Sequence, residues 1–455
     1  MFEPLYTAAE MRAAEERYPG YPGTVPELME RAGKAVADLV LVDFDDLRRI
    51  TVVCGGGSNG GDGRVASRYL EQAGREVRIV DAKAGETDLG EPDLIVDAMF
   101  GTGFSGEPRA VAAELIERIN AADAEVVAVD LPSGVDASTG EVAGAAVEAT
   151  CTVTFHGEKV GHQVGPGEFF SGYYVEVADI GLEPFETQAQ KVAGLEILQL
   201  VPRRSPRDNK YSAGSVLVVG GSRGMTGAAA LASRAAFRAD AGYVTIAAPA
   251  ESIPILETVV LEAVKRPLDD VFDAASRAGA LAIGPGLGRG DEQKALVRRL
   301  LSGTDLPAVV DADALFELEP FSRAAPTVLT PHSGELARLL GVESAWVDAH
   351  RLHALARAVE MFGCVVLLKG SDTLIGAPGG GPLVSSSWPA LATAGTGDVL
   401  TGIVGSFLAK GMDARLAAAA AATAHTHAAM SVEHADGLVA SDVVEALPRV
   451  LHASL

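Results

Sequence analysis

The sequence predicts an α/β protein made of doubly wound, largely parallel sheets in two domains. Three observations carry this. Apolar β-type runs alternate with helix-length amphipathic segments along most of the chain. Many of these runs end in polar, glycine-rich loops, where open parallel sheets bind ligands. The chain has 455 residues, 48% of them hydrophobic and 51 of them glycine, which is too long for one core and too apolar for disorder.

The formal net charge is -24. So acidic a surface argues against non-specific binding to nucleic acid or anionic membrane, while leaving room for a local basic pocket. Cys54, Cys151 and Cys364 lie in apolar, β-like runs without metal-ligand spacing. They read as buried small hydrophobes in a reducing compartment. Met1-Phe2-Glu3-Pro4 lacks a basic stretch followed by an apolar one, so no signal peptide is expected. No apolar run reaches membrane-spanning length without Gly, Pro or charge. The expectation is a soluble, cytoplasmic protein with small-molecule ligands.

Thr7 to Arg17 and Thr24 to Val42 have amphipathic helical periodicity, with both threonines placed as N-caps. The β run Ile50 to Cys54 opens into the loop Gly55 to Gly63, followed by a helix over Arg64 to Ala73. Strands follow at Glu76 to Asp81 and Asp93 to Asp97, the latter ending in the loop Phe100-Gly101-Thr102-Gly103-Phe104-Ser105-Gly106. A helix near Arg109 to Asn120 leads to the strand Val126 to Asp130, which ends in Leu131-Pro132-Ser133-Gly134-Val135-Asp136. Three strand ends therefore carry functional-looking loops: Asn59 with Asp62, Asp97 with Gly101 to Gly106, and Asp130 with Ser133. A plain dinucleotide site is the competing pattern, because Gly55, Gly57 and Gly60 fit G-x-G-x-x-G and Asp81 could take a ribose. The loop's continuation through Asn59-Gly60-Gly61-Asp62-Gly63 is longer and more polar than a pyrophosphate turn needs.

Gly181 to Gln190 is polar and has no β pattern, and residues 201–210 are basic and Pro-punctuated. The boundary falls between them, giving domains over 1–190 and 201–455. The basic segment reads equally as a linker or as a flank of a phosphate site.

In the second half, strand ends carry Gly220 to Gly227, Gly284-Pro285-Gly286-Leu287-Gly288, Val310-Asp311-Ala312-Asp313-Ala314, Leu329 to Glu335, and Leu368-Lys369-Gly370-Ser371-Asp372-Thr373. No P-loop pattern is present. The phosphate site is instead Gly395-Thr396-Gly397-Asp398, a small-residue loop running into an apolar helix. A helix start leaves N–H groups unpaired and carries the positive dipole end, so the Gly395 to Gly397 amides can cradle a phosphate. An acid beside that phosphate makes sense as a base acting on a substrate hydroxyl. The structural alternative is a capped helix start.

Ser58-Asn59-Gly60-Gly61-Asp62-Gly63, Val96-Asp97-Ala98-Met99-Phe100-Gly101-Thr102-Gly103, Val129 to Asp136 and Thr152 to Lys159 resemble, in order and spacing, the YjeF N-terminal domain, the NAD(P)H-hydrate epimerases. The resemblance implies a Rossmann-like sheet and K+ bound by Asn59, Asp97 and Ser133, all oxygen donors suited to a hard cation. It implies contacts to the hydrated nucleotide from Ser58, Asn59, Gly60, Gly61, Asp62, Gly101, Thr102, Gly103, Phe104, Ser105, Gly106, Glu107 and Asp130, with Asp130 as catalytic acid and Lys159 assisting. Ser58 stands where the family usually has Asn. From the residues alone, Lys159 reads as an exposed strand-end lysine.

The second half resembles the ribokinase-like superfamily and, within it, the YjeF C-terminal domain, the ADP- or ATP-dependent (S)-NAD(P)H-hydrate dehydratases. This implies that Gly288, His332 and Asp398 contact the hydrated dinucleotide. Lys369, Gly370, Ser371, Asp372, Thr373, Gly395, Thr396 and Gly397 would bind the nucleotide, with Asp398 as base and Mg2+ accompanying the phosphates. Together the halves resemble the bifunctional NAD(P)H-hydrate repair enzymes, with ADP or ATP as co-substrate. The alternatives are a small-alcohol kinase fused to a Rossmann-like ligand-binding domain, and a nucleotide-binding interaction protein with a decayed site.

His425 and His427 are two apart on one helix and cannot chelate together. They and His434 are expected on a helix surface or interface. His332 stands at a strand end, either facing a ligand or capping the next helix. The Ala-rich segment Ala417 to Met430 is expected to pack between subunits of a homo-oligomer.

Overall fold

The computed structural model describes residues 1–207 and 209–453. Asp208, within the expected junction, and Ser454 and Leu455, at the end of the expected second domain, lie outside the described residues. The chain divides into two compact units, Pro4–Gln190 with Asp348–Arg351, and Lys191–Val347 with Leu352–Leu455 and Met1–Glu3. The main division falls between Gln190 and Lys191, and two short segments, Met1–Glu3 and Asp348–Arg351, group with the other unit.

The N-terminal unit holds six parallel strands: β1 (Arg49–Cys54), β2 (Glu76–Asp81), β3 (Leu94–Ala98), β4 (Glu125–Val129), β5 (Cys151–Phe155) and β6 (Val175–Ala178), in the order β2-β1-β3-β4-β5-β6. Strand side chains alternate faces. Val52, Cys54, Val96 and Val127 pack in one core, and Val53, Ile95 and Val126 in another. A sheet covered on both faces needs apolar residues at every position, which is why its strands read as unbroken runs. Each fully buried Val, Ile or Leu contributes about 1.5–3 kcal/mol relative to exposure.

Helices α1 (Ala8–Glu16), α2 (Val25–Asp43), α3 (Ser58–Gln72) and α4 (Ala110–Asn120) cover the sheet. Thr7 caps α1 through a capping box with Glu10, but Thr24 makes no side-chain cap. The polar run expected as a loop, Ser58 to Gly63, is instead the first turns of α3, so this helix starts six residues before Arg64. Asp81 does not stand ready for a ribose. It caps the Lys83 and Ala84 amides and pairs with Arg64 at 2.7 Å. Gly181 to Gln190 was expected without β structure, yet a short strand begins at Ala189.

The C-terminal unit holds β7 (Ser215–Val219), β8 (Tyr243–Ala248), β9 (Val264–Pro267), β10 (Ala280–Ile283), β11 (Ala308–Val310), β12 (Thr327–Leu329), β13 (Val365–Leu368), β14 (Asp372–Gly376) and β15 (Leu383–Ser386). These nine lie in the order β15-β14-β13-β12-β11-β10-β7-β8-β9, antiparallel at the β13-β14-β15 end and parallel elsewhere. Of the helices around it, α5 (Thr226–Arg238), α6 (Ser333–Leu340), α7 (Thr396–Ala409), α8 (Ala414–Met430) and α9 (Ala440–Ala453) matter below.

α7 is buried from Val399 to Leu408. α8 corrects two expectations. Its alanines from Ala417 to Ala422 are buried inside this unit and so do not form a subunit face. His425 is buried with them, and burial pushes its imidazole down to about 4, so it is neutral. Cys54 and Cys151 are buried, whereas Cys364 sits just before β13 and is only half-buried. Among the described residues no helix is long and apolar enough to cross a membrane.

Candidate active sites

In the N-terminal unit the ends of β1, β3 and β4 open on one cavity of about 1050 Å³. Ser58, Asn59, Asp62, Gly101, Thr102, Gly103, Phe104, Ser105, Glu107 and Asp130 line it. Gly60, Gly61, Gly106 and Lys159 do not. Gly60 packs against the Gly55 carbonyl and Gly61 against Met29.

Asp130 follows β4 in the left-handed region, at φ 67. That conformation is uncommon for a residue with a side chain and marks a position fixed by its surroundings. Its carboxyl is held from three sides. Lys159 Nζ is 2.7 Å from Oδ1, the Thr154 hydroxyl donates to Oδ1 at 3.1 Å, and the Thr102 amide donates to Oδ2 at 2.9 Å. The Asp130 carbonyl accepts from His162 Nε2 at 2.7 Å, because His162 Nδ1 is used as acceptor for the Lys159 amide.

Lys159 is 0% exposed, so it is not the solvated strand-end lysine that the residues alone suggest. Its ammonium also donates to Thr154 Oγ1 and the Phe155 carbonyl, so all its protons are used. Burial pushes the Asp130 carboxyl up, but the charge and hydrogen bond of Lys159 outweigh this and hold it below the ordinary range. Asp130 is thus ionised.

Asp62 has the opposite setting. Burial first, then the charges of Asp130 and Glu15, push it well above the usual carboxylate range, and it faces the cavity.

Asp97 is wholly buried, and burial raises it to about 6 against hydrogen bonds from Ser133 and the Met99 amide. Its Oδ1 accepts the Ser133 hydroxyl at 2.7 Å. Ser133 Oγ accepts the Phe100 amide at 2.9 Å, and Asn59 Nδ2 donates to the Phe100 carbonyl at 2.8 Å. Asn59 and Ser133 therefore meet at the backbone of Phe100, with Asp97 behind Ser133. Gly101 is required beside it, since a Cβ there would lie 2.8 Å from Asp130 Oδ2 and 3.0 Å from Asn59 Oδ1. Glu15 and His162 were missed in the sequence, and Thr154 stood in a motif without a role. The only signal available was the i, i+3 spacing of Lys159 and His162.

In the C-terminal unit Gly395 takes a left-handed φ of 91 and precedes α7. No side chain caps α7, and the Thr396 hydroxyl turns back to the Leu391 and Thr393 carbonyls at 2.8 Å each. The helix start is thus open for an anion. Lys369 reaches the same place, its Nζ 3.5 Å from where a Cβ on Gly397 would be. Nζ donates to Asp311 Oδ1 at 2.8 Å and lies 3.7 Å from Glu335 Oε2.

Asp398 makes no helix cap. Burial, then the charge of Asp311, raise its carboxyl to about 7, with Lys369 acting in the opposite sense. His332 pairs with Lys369 through a backbone bridge. Its Nδ1 also accepts the Gly334 amide at 3.0 Å, so it does serve as a cap. The Gly288 amide donates to Asp313 Oδ2 at 2.9 Å. Asp372 and Thr373 lie buried inside β14, with the Thr373 hydroxyl on the Gly370 carbonyl at 3.1 Å. Asp311, Asp313, Glu335 and Thr401 stand in the motifs of the sequence without a role assigned to them there.

A family model described as NAD(P)H-hydrate dehydratase matches residues 216–449, and one described as YjeF-related protein N-terminus matches 25–88 and 80–161. The bifunctional NAD(P)H-hydrate repair enzyme of Moorella thermoacetica is 38% identical over 98% of this chain and 96% of its own length. The chain belongs to the family of bifunctional NAD(P)H-hydrate repair enzymes. The family member from Escherichia coli is 32% identical, over 98% of this chain and 94% of its own. The ADP/ATP-dependent NAD(P)H-hydrate dehydratase of Bacillus subtilis, co-crystallised with ATP/Mg2+, is 32% identical, with a TM-score of 0.53 over 57% of this chain and 96% of that one. A ribokinase-like superfamily protein of Enterococcus faecalis, at 23% identity and TM-score 0.53, shares the fold. Family membership makes the chain an enzyme with an epimerase part and a dehydratase part, and favours the repair reading over a small-alcohol kinase.

Proposed function

We propose that the N-terminal unit interconverts R and S forms of hydrated NADH and NADPH, and that the C-terminal unit dehydrates the S form using ADP or ATP. The observation carrying this is the contrast between two carboxyls: Asp130, held ionised by buried Lys159, and Asp398, raised to about 7 beside an open helix start.

In the epimerase, Asp130 carries the proton at the hydrated ring carbon, while Lys159, Thr102 and Thr154 hold its oxygens. Asp62, whose carboxyl is pushed upward by burial, faces the same cavity. Asn59, Asp97 and Ser133 lie together at the Phe100 backbone, and each carries a side-chain oxygen, a donor set that fits K+. K+ bound there would add fixed positive charge at the hydrate.

In the dehydratase, Asp398 takes the proton of the ring hydroxyl as it attacks the terminal phosphoryl group in line. The Gly395 to Gly397 amides hold the charge of that group, with Lys369 beside them. The ring nitrogen's lone pair then expels the phosphate, which keeps the electrons of the broken C–O bond, and loss of a proton from the adjacent ring carbon restores the dihydronicotinamide; phosphate leaves far more readily than hydroxide. Among the described residues no three His, Cys, Asp or Glu side chains form a metal cage, which suits Mg2+ carried on the nucleotide's phosphates with its own water. Bound there, it would neutralise phosphate charge. Gly288 and His332 flank the hydrate, and Lys369 to Thr373 flank the nucleotide. We place this work in the cytoplasm.

The test uses separated R and S hydrates followed by chromatography. The two should interconvert without nucleotide; when ADP or ATP with Mg2+ is added, wild type should consume both, and Asp130→Asn should consume S alone. Consumption without nucleotide, or a stable phosphorylated product, would contradict the proposal.

A further inference from the structure

We infer that the Asp311-Ala312-Asp313 turn positions the dehydratase site from two sides. Asp311 sets the helix that carries Asp398 together with Lys369, and Asp313 sets the Gly288–Arg289 loop that receives the hydrated dinucleotide. This rests on the dehydratase reading of the C-terminal unit.

The turn follows β11, and Ala312 takes a left-handed φ of 52. Alanine gains nothing from that conformation, because its Cβ crowds the backbone there. Such an outlier persists where the surroundings dictate it. Its effect is to send two nearly adjacent carboxylates to different elements.

Asp311 is 1% exposed and uses both oxygens. Oδ1 accepts Lys369 Nζ at 2.8 Å, and Oδ2 accepts the Thr401 hydroxyl at 2.7 Å. Thr401 lies on α7 three residues after Asp398, on the same face. The bond therefore fixes the rotation at which α7 presents its base, and the Lys369 bond fixes the ammonium beside Gly397. Asp313 also uses both oxygens, Oδ2 on the Gly288 amide at 2.9 Å and Oδ1 on Arg289 Nε at 2.7 Å. Gly288 has a φ of 91 and stands in a short glycine loop. One bond to its amide and one to the next side chain pin the loop at a fixed distance from Asp311.

Four charged groups bear on Asp398: Asp311 and Asp313 from the turn, Glu335 from α6, and Lys369 from the end of β13. Neutral His425 of α8 stands near Lys369 and the Thr396 backbone. Removing the Asp311 charge removes a repulsion from Asp398 and leaves less of the Lys369 charge offset by a neighbouring carboxylate. Both effects favour the ionised base.

The test is steady-state kinetics on the full-length chain with S hydrate, ADP and Mg2+. Thr401→Val keeps the side-chain volume and removes only the hydroxyl, so it should lower kcat about tenfold with both KM values nearly unchanged, and Thr401→Ser should restore it. Asp313→Asn should raise KM for the hydrate about tenfold while leaving KM for ADP within twofold. Asp311→Asn should lower kcat and move the acid limb of kcat/KM about one pH unit lower. Equal losses in every parameter with a lowered melting temperature, or an Asp313→Asn effect on ADP as large as on the hydrate, would overturn the proposal while wild type stays active. A wild type without nucleotide-dependent turnover would overturn the dehydratase reading and this proposal together.

Discussion

Lys159 Nζ lies 2.7 Å from Asp130 Oδ1 with the lysine wholly buried. A buried ammonium is tolerated only when paired and fully hydrogen-bonded, and here Thr154 and the Phe155 carbonyl complete the set. The pair therefore links the stability of the N-terminal unit to its chemistry.

Lys159→Met should abolish epimerase activity and destabilise the N-terminal unit by about 3–5 kcal/mol at neutral pH, the cost of leaving one buried charge unpaired. Because Asp130 is depressed in the folded enzyme, its contribution is complete above the unfolded value of about 4 and is lost as pH falls through the lower folded value. In the variant, burial acts on Asp130 without Lys159, so the penalty should be largest at neutral pH and should shrink in acid. Urea denaturation from neutral to acidic pH checks this. A penalty that does not depend on pH would contradict it.

Dehydratase activity should follow the Asp398 carboxyl. A base raised to about 7 is mostly protonated below that pH, so kcat/KM should fall about tenfold per pH unit on the acid side. The epimerase, whose Asp130 is depressed, should show no such limb near 7. Separate pH profiles of the two half-reactions check this.

Gly101→Ala should remove epimerase activity and leave the dehydratase intact. The added methyl meets Asp130 Oδ2 and Asn59 Oδ1, and neither can retreat without losing the Thr102 amide or the Phe100 carbonyl. Loss of both activities would show that the substitution unfolds more than its own site.

The fold class and the loops at the strand ends were legible because β-type apolar runs and glycine clusters are local signals. Residues whose meaning lies in distant partners were not. Lys159 looks solvated until the fold delivers Asp130. Thr401 looks like one more residue on an apolar helix until Asp311, 90 residues earlier, accepts its hydroxyl. Ser58 to Gly63 reads as a loop because its glycines disfavour a helix. Tertiary contact overrides this, since α3 packs so closely on α2 that a Cβ on Gly33 would lie 2.5 Å from the Asp62 carbonyl. His425 was misplaced because an Ala-rich helix gives no polar face by which to tell inside from outside.

The most direct test of the account follows absorbance at 340 nm on a mixture of R and S NADH hydrates with Mg2+ and ADP or ATP, faster than spontaneous epimerisation. Wild type should restore all the NADH. Asp398→Asn should restore none, and Asp130→Asn should stop once the S form is spent. Full recovery by Asp130→Asn or any recovery by Asp398→Asn would contradict the roles given to these carboxyls, and no nucleotide-dependent recovery by wild type would contradict the repair function itself.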